Sequence, residues 1–159
     1  MLGPAIRVAR ESDGQDIAQL TAQLGYDVTV SSATERLARI LSRRDQHFVV
    51  AEVDGHLVGW LHAAISEYVE SGAFVVIGGL VVDRSHRRRG IGRALMNHAE
   101  EWAQKQGCSI VRLWSSAARS ASHQFYERLG YRNIKTQYSF LKSLDATRGD
   151  DVRRFVARV

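Results

Sequence analysis

The chain has 159 residues, 45% of them hydrophobic and 25% charged, with a net charge of +5 and a sequence pI of about 9.8. That length suits one domain with a single core. No apolar run nears the roughly 18 residues of a membrane span, and a single cysteine excludes an internal disulfide framework or a thiolate metal cluster. The positive excess favours an anionic partner: nucleic acid, an acidic surface or a phosphate-bearing cofactor.

The opening residues, MLGPAIRVARESD, lack the apolar centre of a signal peptide, so the cytoplasm is the expected location. Ala5–Val8 reads as a first strand. Ser12 and Gln15 have capping-box spacing, and Ile17, Leu20 and Leu24 follow at helical intervals. Ser32 and Glu35 repeat the capping signal before a second amphipathic helix carrying Leu37, Ile40 and Leu41. HFVVAEV and HLVGWLHAAI flank Asp54-Gly55, a pair suited to a two-residue hairpin turn. AFVVIGGLVV, Ala73–Val82, is apolar on both faces, as a central buried strand should be. Gly78 and Gly79 within it suggest a bulge or a close backbone approach.

A long helix is predicted from about Gly90 to Gln106, with Ile91, Leu95, Ala99 and Trp102 as its buried stripe and Gly107 as its stop. Cys108 reads as a small core-edge residue. SIVRLWSS is the next strand. A short helix follows with Ala121, Phe125 and Leu129 on one face and Gly130 as its stop, and YRNIKTQYSFLKSL supplies one or two final strands. The tail 145–159 is polar and mixed in charge, with no pattern that fixes its order. The sequence β-α-α-β-β-β-α-β-α-β(-β) predicts one α/β (α+β) domain over residues 1–144, a mixed sheet covered by helices.

Five arginines fall within ten residues, at 84, 87, 88, 89 and 93, at the end of the central strand. Glycines at 90 and 92 follow, where the long helix begins. The first amides of a helix have no intrahelical partners, and the helix dipole puts partial positive charge there. Glycines let a phosphate approach that backbone, and arginines add forked donors of permanent charge. Strand, glycine-rich turn and helix thus form a phosphate-holding arrangement. A P-loop would need Gly-x-x-x-x-Gly-Lys-Ser/Thr, which is absent, and the dinucleotide fingerprint would need a third glycine at Leu95.

Arg87-Arg88-Arg89-Gly90-Ile91-Gly92 resembles the Gln/Arg-x-x-Gly-x-Gly/Ala motif of the GNAT superfamily of acetyl-CoA-dependent N-acetyltransferases. The resemblance implies a mostly antiparallel mixed sheet of six to seven strands flanked by four helices. It implies that amides from about Arg88 to Arg93, with Arg87, Arg89, Gly90, Ile91 and Gly92, bind the pyrophosphate of acetyl-CoA. It also implies that the backbone of Leu80, Val81 and Val82 pairs with the pantetheine arm. SHQFYERLGY resembles the family's tyrosine-bearing helix and implies that Tyr126 protonates the departing sulfur. The family often has an asparagine seven residues earlier, where this chain has Arg119; that residue could still contact a cofactor phosphate. The likeness runs from about Ile6 to Leu144 in element order and is specific between Gly79 and Tyr131. Family members often dimerise, which leaves a homodimer open.

The implied activity is transfer of an acetyl group to a primary amine of a small molecule, by direct attack in a ternary complex. A lysine-like amine has a pKa of about 10.4, so a base should take its proton. Glu70 or Glu67, in SEYVESG before the central strand, is near enough in sequence to be that base, and His62 could face the cleft from the third strand. Two glutamates there favour a cationic acceptor. Tyr26 and Tyr68 could line its pocket. A backbone N–H of the fourth strand could stabilise the oxyanion, and a tyrosine hydroxyl can supply the final proton. His86 and His123 flank the motifs without a metal-ligand partner at useful spacing, and no metal is assigned. A protein or peptide amine as acceptor, and a non-catalytic acyl-CoA sensor, are the competing readings. A nucleic-acid module is disfavoured because the arginines cluster on one turn, and no membrane partner is expected.

Overall fold

The computed structural model describes residues 3–144, so the tail at 145–159 lies outside the described residues. The described residues form two compact units, one up to Leu113 and one from Trp114.

In the first unit, β1 (Ala5–Val8) leads through a 3-10 turn, Glu11–Asp13, into α1 (Gly14–Ala22) and α2 (Val30–Leu41). Three longer strands follow: β2 (Gln46–Val53), β3 (His56–Tyr68) and β4 (Gly72–Val82). A second 3-10 turn, Arg84–His86, precedes α3 (Ile91–Lys105), and β5 (Val111–Leu113) closes the unit. One sheet results, in the order β1-β2-β3-β4-β5; its first four strands are antiparallel and β5 is parallel to β4. Asp54 and Gly55 both take left-handed backbone (φ 51° and 77°), the hairpin turn their pairing demands.

Alternation along the strands separates two faces. On one, Phe48, Val50, Trp60 and Val81 pack with Ile17 and Leu20 of α1 and Leu37 of α2. On the other lies α3, whose Leu95, Met96 and Ala99 are fully buried. Each such leucine or methionine contributes about 1.5–3 kcal/mol by leaving water. The buried stripe of α3 runs through Ile91, Leu95, Met96, Ala99 and Ala103. Trp102, expected within it, lies at its margin and stacks on the ring of His47, centroids 4.8 Å apart. Cys108 is buried.

Two helix starts differ from the capping boxes read in the sequence. Asp13, not Ser12, organises the first: its Oδ2 accepts from the Arg10 amide at 2.7 Å. Arg7 donates to both Asp13 oxygens (2.8 and 2.9 Å) and to Glu52 (2.6 and 2.9 Å), so a carboxylate only 7% exposed is fully paired. A paired buried charge is stable where an unpaired one would not be. At the second, Thr29 caps α2 by accepting from the Ser32 amide at 3.1 Å, one turn before the predicted Ser32 cap.

The second unit contains α4 (Ser120–Arg128), followed by Leu129 and Gly130, whose φ of 94° stops the helix as expected. Among the described residues the sheet has five strands, not six to seven. Residues 131–144, read as one or two strands, contain none among the described residues, and Ile134, Tyr138, Phe140 and Leu144 are exposed. Alternation can mark a strand, but only a ladder partner makes one.

His47 of β2 lies 3.2 Å from His98 Nδ1, and burial, with His98 and Lys105 nearby, lowers its pKa from 6.5 to about 4. The unfolded chain therefore binds this proton more readily between those values. Its contribution to stability is complete above about pH 6.5 and is lost as pH falls towards 4. Thermal unfolding followed by circular dichroism should show the midpoint falling over that window, and His47→Phe, which keeps the stack on Trp102, should shallow the fall.

Candidate active site

The arginine–glycine turn begins where β4 ends. Arg87 is extended (φ −64°, ψ 159°), Arg88 is left-handed at φ 63°, and Gly90 is left-handed at φ 80° as the N-cap of α3. No side chain caps the helix at Gly90. Among the described residues, the amides from Arg88 to Arg93 have no acceptor, so a run of donors stands at the positive end of a fifteen-residue helix. A tight turn of mixed handedness at a helix start is a backbone form suited to anions. A Cβ on Gly90 would touch nothing within 4 Å, so this glycine serves its left-handed backbone rather than a tight fit. The side chains of Arg87, Arg88, Arg89 and Arg93 are exposed, and Arg87 Nε donates to the Val82 carbonyl at 3.1 Å, fastening the turn to the strand.

Asp83 anchors the same turn from behind. Its carboxylate accepts from the Ser85 amide (2.7 Å), the Ser85 hydroxyl (2.6 Å) and Gln23 Nε2 (3.2 Å), and these bonds, Ser85 foremost, hold its pKa down to about 2. Gln23, the C-cap of α1, also accepts from the Arg84 amide at 3.0 Å. The sequence reading missed this clamp. Asp83-x-Ser85 is a legible turn signal, but nothing local in the sequence marks Gln23.

The strand beside the turn has a free edge. β5 pairs with β4 only at Val75, Val76 and Ile77. β4 continues to Val82, so Leu80, Val81 and Val82 have no strand on that side among the described residues. The register on the β3 side breaks at the same point: His62 pairs with Gly79 and Ala63 with Ile77, leaving Gly78 as a bulge. Gly78 is exposed. Gly79 lies under Trp60, whose ring a Cβ there would meet at 2.7 Å. Close approach is thus to an indole. Trp60 Nε1 is buried without an acceptor among the described residues.

His62 was weighed from sequence beside the two glutamates when the base was sought, as a side chain that could face the cleft from the third strand. Its Nε2 lies 2.6 Å from Gln46 Oε1, its ring stacks on Phe48 (centroids 5.5 Å apart), and its Nδ1 looks onto Gly78, 3.5 Å from where a Cβ would stand. Burial lowers its pKa below 6.5. Glu67 and Glu70 are exposed at the tip of the β3–β4 hairpin, Glu67 opposite Ala73. The bulge at Gly78 is five residues beyond Ala73, or about 16 Å along the strand, beyond direct contact with a group bound there. Tyr68 is also exposed, edge-on to Phe74, and Tyr26 is half-buried in the α1–α2 connection.

In the second unit, Tyr126 is half-buried, with its ring edge-on to Phe125 (5.1 Å) and Tyr131 (6.1 Å). Burial raises the pKa of its hydroxyl, and the charge of Arg119, the N-cap of α4, partly opposes this. The hydroxyl is therefore protonated at neutral pH. His123 bonds the Ser116 carbonyl and His86 the Ser85 hydroxyl; among the described residues no group of three His, Cys, Asp or Glu side chains could hold a metal ion.

Residues 15–131 match the sequence profile of the Acetyltransferase (GNAT) family. The chain is 33% identical over 105 residues to an uncharacterized N-acetyltransferase of Methanocaldococcus jannaschii, covering 65% of this chain and 46% of that protein, so it spans about half that relative's length. It is 27% identical to an aminoglycoside N(6')-acetyltransferase type 1 of Klebsiella aerogenes, over 89% of this chain and 97% of the other. In fold it is similar to AAC(6')-Iy solved with a bisubstrate analogue, CoA-S-monomethyl-acetylneamine, with a TM-score of 0.81 at 22% identity, covering 89% of this chain and 99% of that one.

The two adjacent glycines of β4 should respond differently to a methyl group. Gly79→Ala forces the stacked Trp60 ring aside and should cost about 1–3 kcal/mol, whereas Gly78→Ala, with ordinary contact distances, should cost less than about 1 kcal/mol. Chemical denaturation of both variants measures the contrast.

Proposed function

The chain belongs to the GNAT acetyltransferase family, and from that premise we propose that it moves an acetyl group from acetyl-CoA to a primary amine of a small molecule. The observation that carries this reading is the continuity of two binding features: unpaired amides at Arg88–Arg93 and the free edge at Leu80–Val82. These residues fit coenzyme A chemically. A pyrophosphate needs several donors and positive charge, which the turn has; an amide-bearing arm needs a strand edge that can take it as an added strand. Arg87, Arg89, Gly90, Ile91 and Gly92 belong to the pyrophosphate site, and Arg119 to a further phosphate contact. When bound, acetyl-CoA supplies the thioester carbonyl and a thiolate leaving group.

The chain's own residues then have three tasks. A β4 amide at the free edge donates to the carbonyl oxygen as negative charge grows there. Tyr126, kept protonated by burial, gives its proton to the departing sulfur. A base takes the proton of the incoming amine, which is mostly ammonium at neutral pH. Glu67 and Glu70, the candidates from sequence, are better suited by exposure and charge to drawing in a cationic acceptor. An aminoglycoside-like polyamine is the acceptor class that the Klebsiella relative supports, since the likeness covers nearly all of both chains.

Calorimetric titration with acetyl-CoA should be saturable, and cofactor at 100 times its Kd should add about 2.7 kcal/mol to stability; duplex DNA should do neither. Thiol release should then be followed with kanamycin A, spermidine, glucosamine 6-phosphate and a lysine-containing peptide. Turnover with a small amine supports the reading, turnover with the peptide alone moves the acceptor class to proteins, and none makes the chain a binding module. Tyr126→Phe should lower kcat at least tenfold while acetyl-CoA binding survives; an unchanged kcat removes Tyr126 from the chemistry.

A further inference from the structure

We propose that His62, oriented by Gln46 and facing the Gly78 bulge, is the base that accepts the proton of the attacking amine, directly or through one water. This rests on the acetyltransferase reading and assigns the task left open there. β4 contains no titratable side chain anywhere from Gly72 to Val82, so a base at its bulge must come from a neighbour. Opposite the bulge stands His62, paired with Gly79. The Gly78–Gly79 pair puts no side chain between its imidazole and the point where β4 becomes unpaired on its other edge.

The hydrogen bond to Gln46 decides which nitrogen is available. Gln46 Oε1 can only accept, so His62 Nε2 carries a hydrogen. In the neutral ring Nδ1 is then bare, and Nδ1 is the atom that looks onto Gly78. Phe48 stacking fixes the ring plane. The charged surroundings do not oppose neutrality. On β2, Glu52 is bound by Arg7, and His47 faces α3 on the opposite side of the sheet. On the helices of the His62 face, Asp16 of α1 and Glu35, Arg36 and Arg39 of α2 are exposed, and burial lowers the His62 pKa. A neutral imidazole with one lone pair directed at the bulge is what the step requires.

The balance is as follows. The neutral fraction of the amine, its ammonium proton already released to solvent, attacks: its lone pair forms the new N–C bond at the thioester carbonyl, and a proton on that nitrogen passes to His62 Nδ1. The C–S bond breaks, its electron pair leaves on sulfur, and sulfur takes a proton from Tyr126. The amide and free coenzyme A are released, His62 returns its proton to solvent, and Tyr126 is reprotonated from solvent.

Two measurements test this. In the acetyl-CoA-free chain, long-range 1H–15N correlations of the His62 ring should show the Nε2–H form, becoming imidazolium only below pH 6.5; an Nδ1–H form overturns the proposal whatever the activity. With the fastest acceptor of the amine panel, kcat should fall by about 10²-fold or more in His62→Gln. The wild-type acid limb, in which activity disappears as His62 gains its proton below pH 6.5, should vanish with it. Acetyl-CoA affinity should be kept within about threefold. Added imidazole should partly restore His62→Ala, and Gln46→Ala should retain the limb at reduced kcat. A His62→Gln variant with wild-type kcat and an intact acid limb refutes the assignment. A wild-type chain that binds acetyl-CoA but acetylates no amine refutes the function instead, and the ring correlations still decide the form of His62.

Discussion

The candidate site depends on where β5 leaves β4. Three residue pairs, Val75–Ile77 against Val111–Leu113, hold the two strands together, and then β4 runs on alone. An unpaired edge is ordinarily a liability, because it invites any extended chain. Here it is short, begins at a bulge, and ends against an arginine-rich turn. Those limits confine the hazard to a few residues beside the start of α3. The bulge at Gly78 has a share in this, because one unpaired residue turns the local backbone and brings His62, Trp60 and the open edge to the same level of the sheet.

Rigid contacts hold that arrangement in position. Arg7 joins β1, the first 3-10 turn and β2 through Asp13 and Glu52. The Gln23 amide joins the end of α1 to Asp83 and Arg84. α3 is anchored along its buried stripe, so its first turn, where the donors are, cannot drift from the sheet without opening the core. The side chains of Arg87, Arg88, Arg89 and Arg93 stand exposed around this held backbone.

Features made by neighbouring residues were legible in the sequence. Asp54-Gly55 marked the hairpin, Gly107 and Gly130 marked helix ends, and Gly90 marked the start of the long helix, because each depends on local backbone chemistry. Features that depend on distant partners were not. Ser12 and Ser32 had the right composition for caps, but Arg7 recruited Asp13, and Thr29 started α2 earlier. Residues 131–144 look like strand in sequence, yet no ladder forms there among the described residues. The glutamates of the hairpin tip seemed close to the chemistry in sequence, and strand length separates them from the bulge. The Gln46–His62 pair becomes visible only once the β2–β3 register puts both on one face.

Arg88 illustrates two demands meeting in one residue. It is left-handed at φ 63° without being glycine, a conformation that costs an ordinary side chain about 1–2 kcal/mol. Glycine at 88 would relieve that tension and strengthen the empty fold, yet it would delete a guanidinium from the turn. Keeping arginine there means the fold tolerates a small conformational strain to retain that charge beside the helix start. Selection for thermal endurance alone would therefore tend to erode this residue.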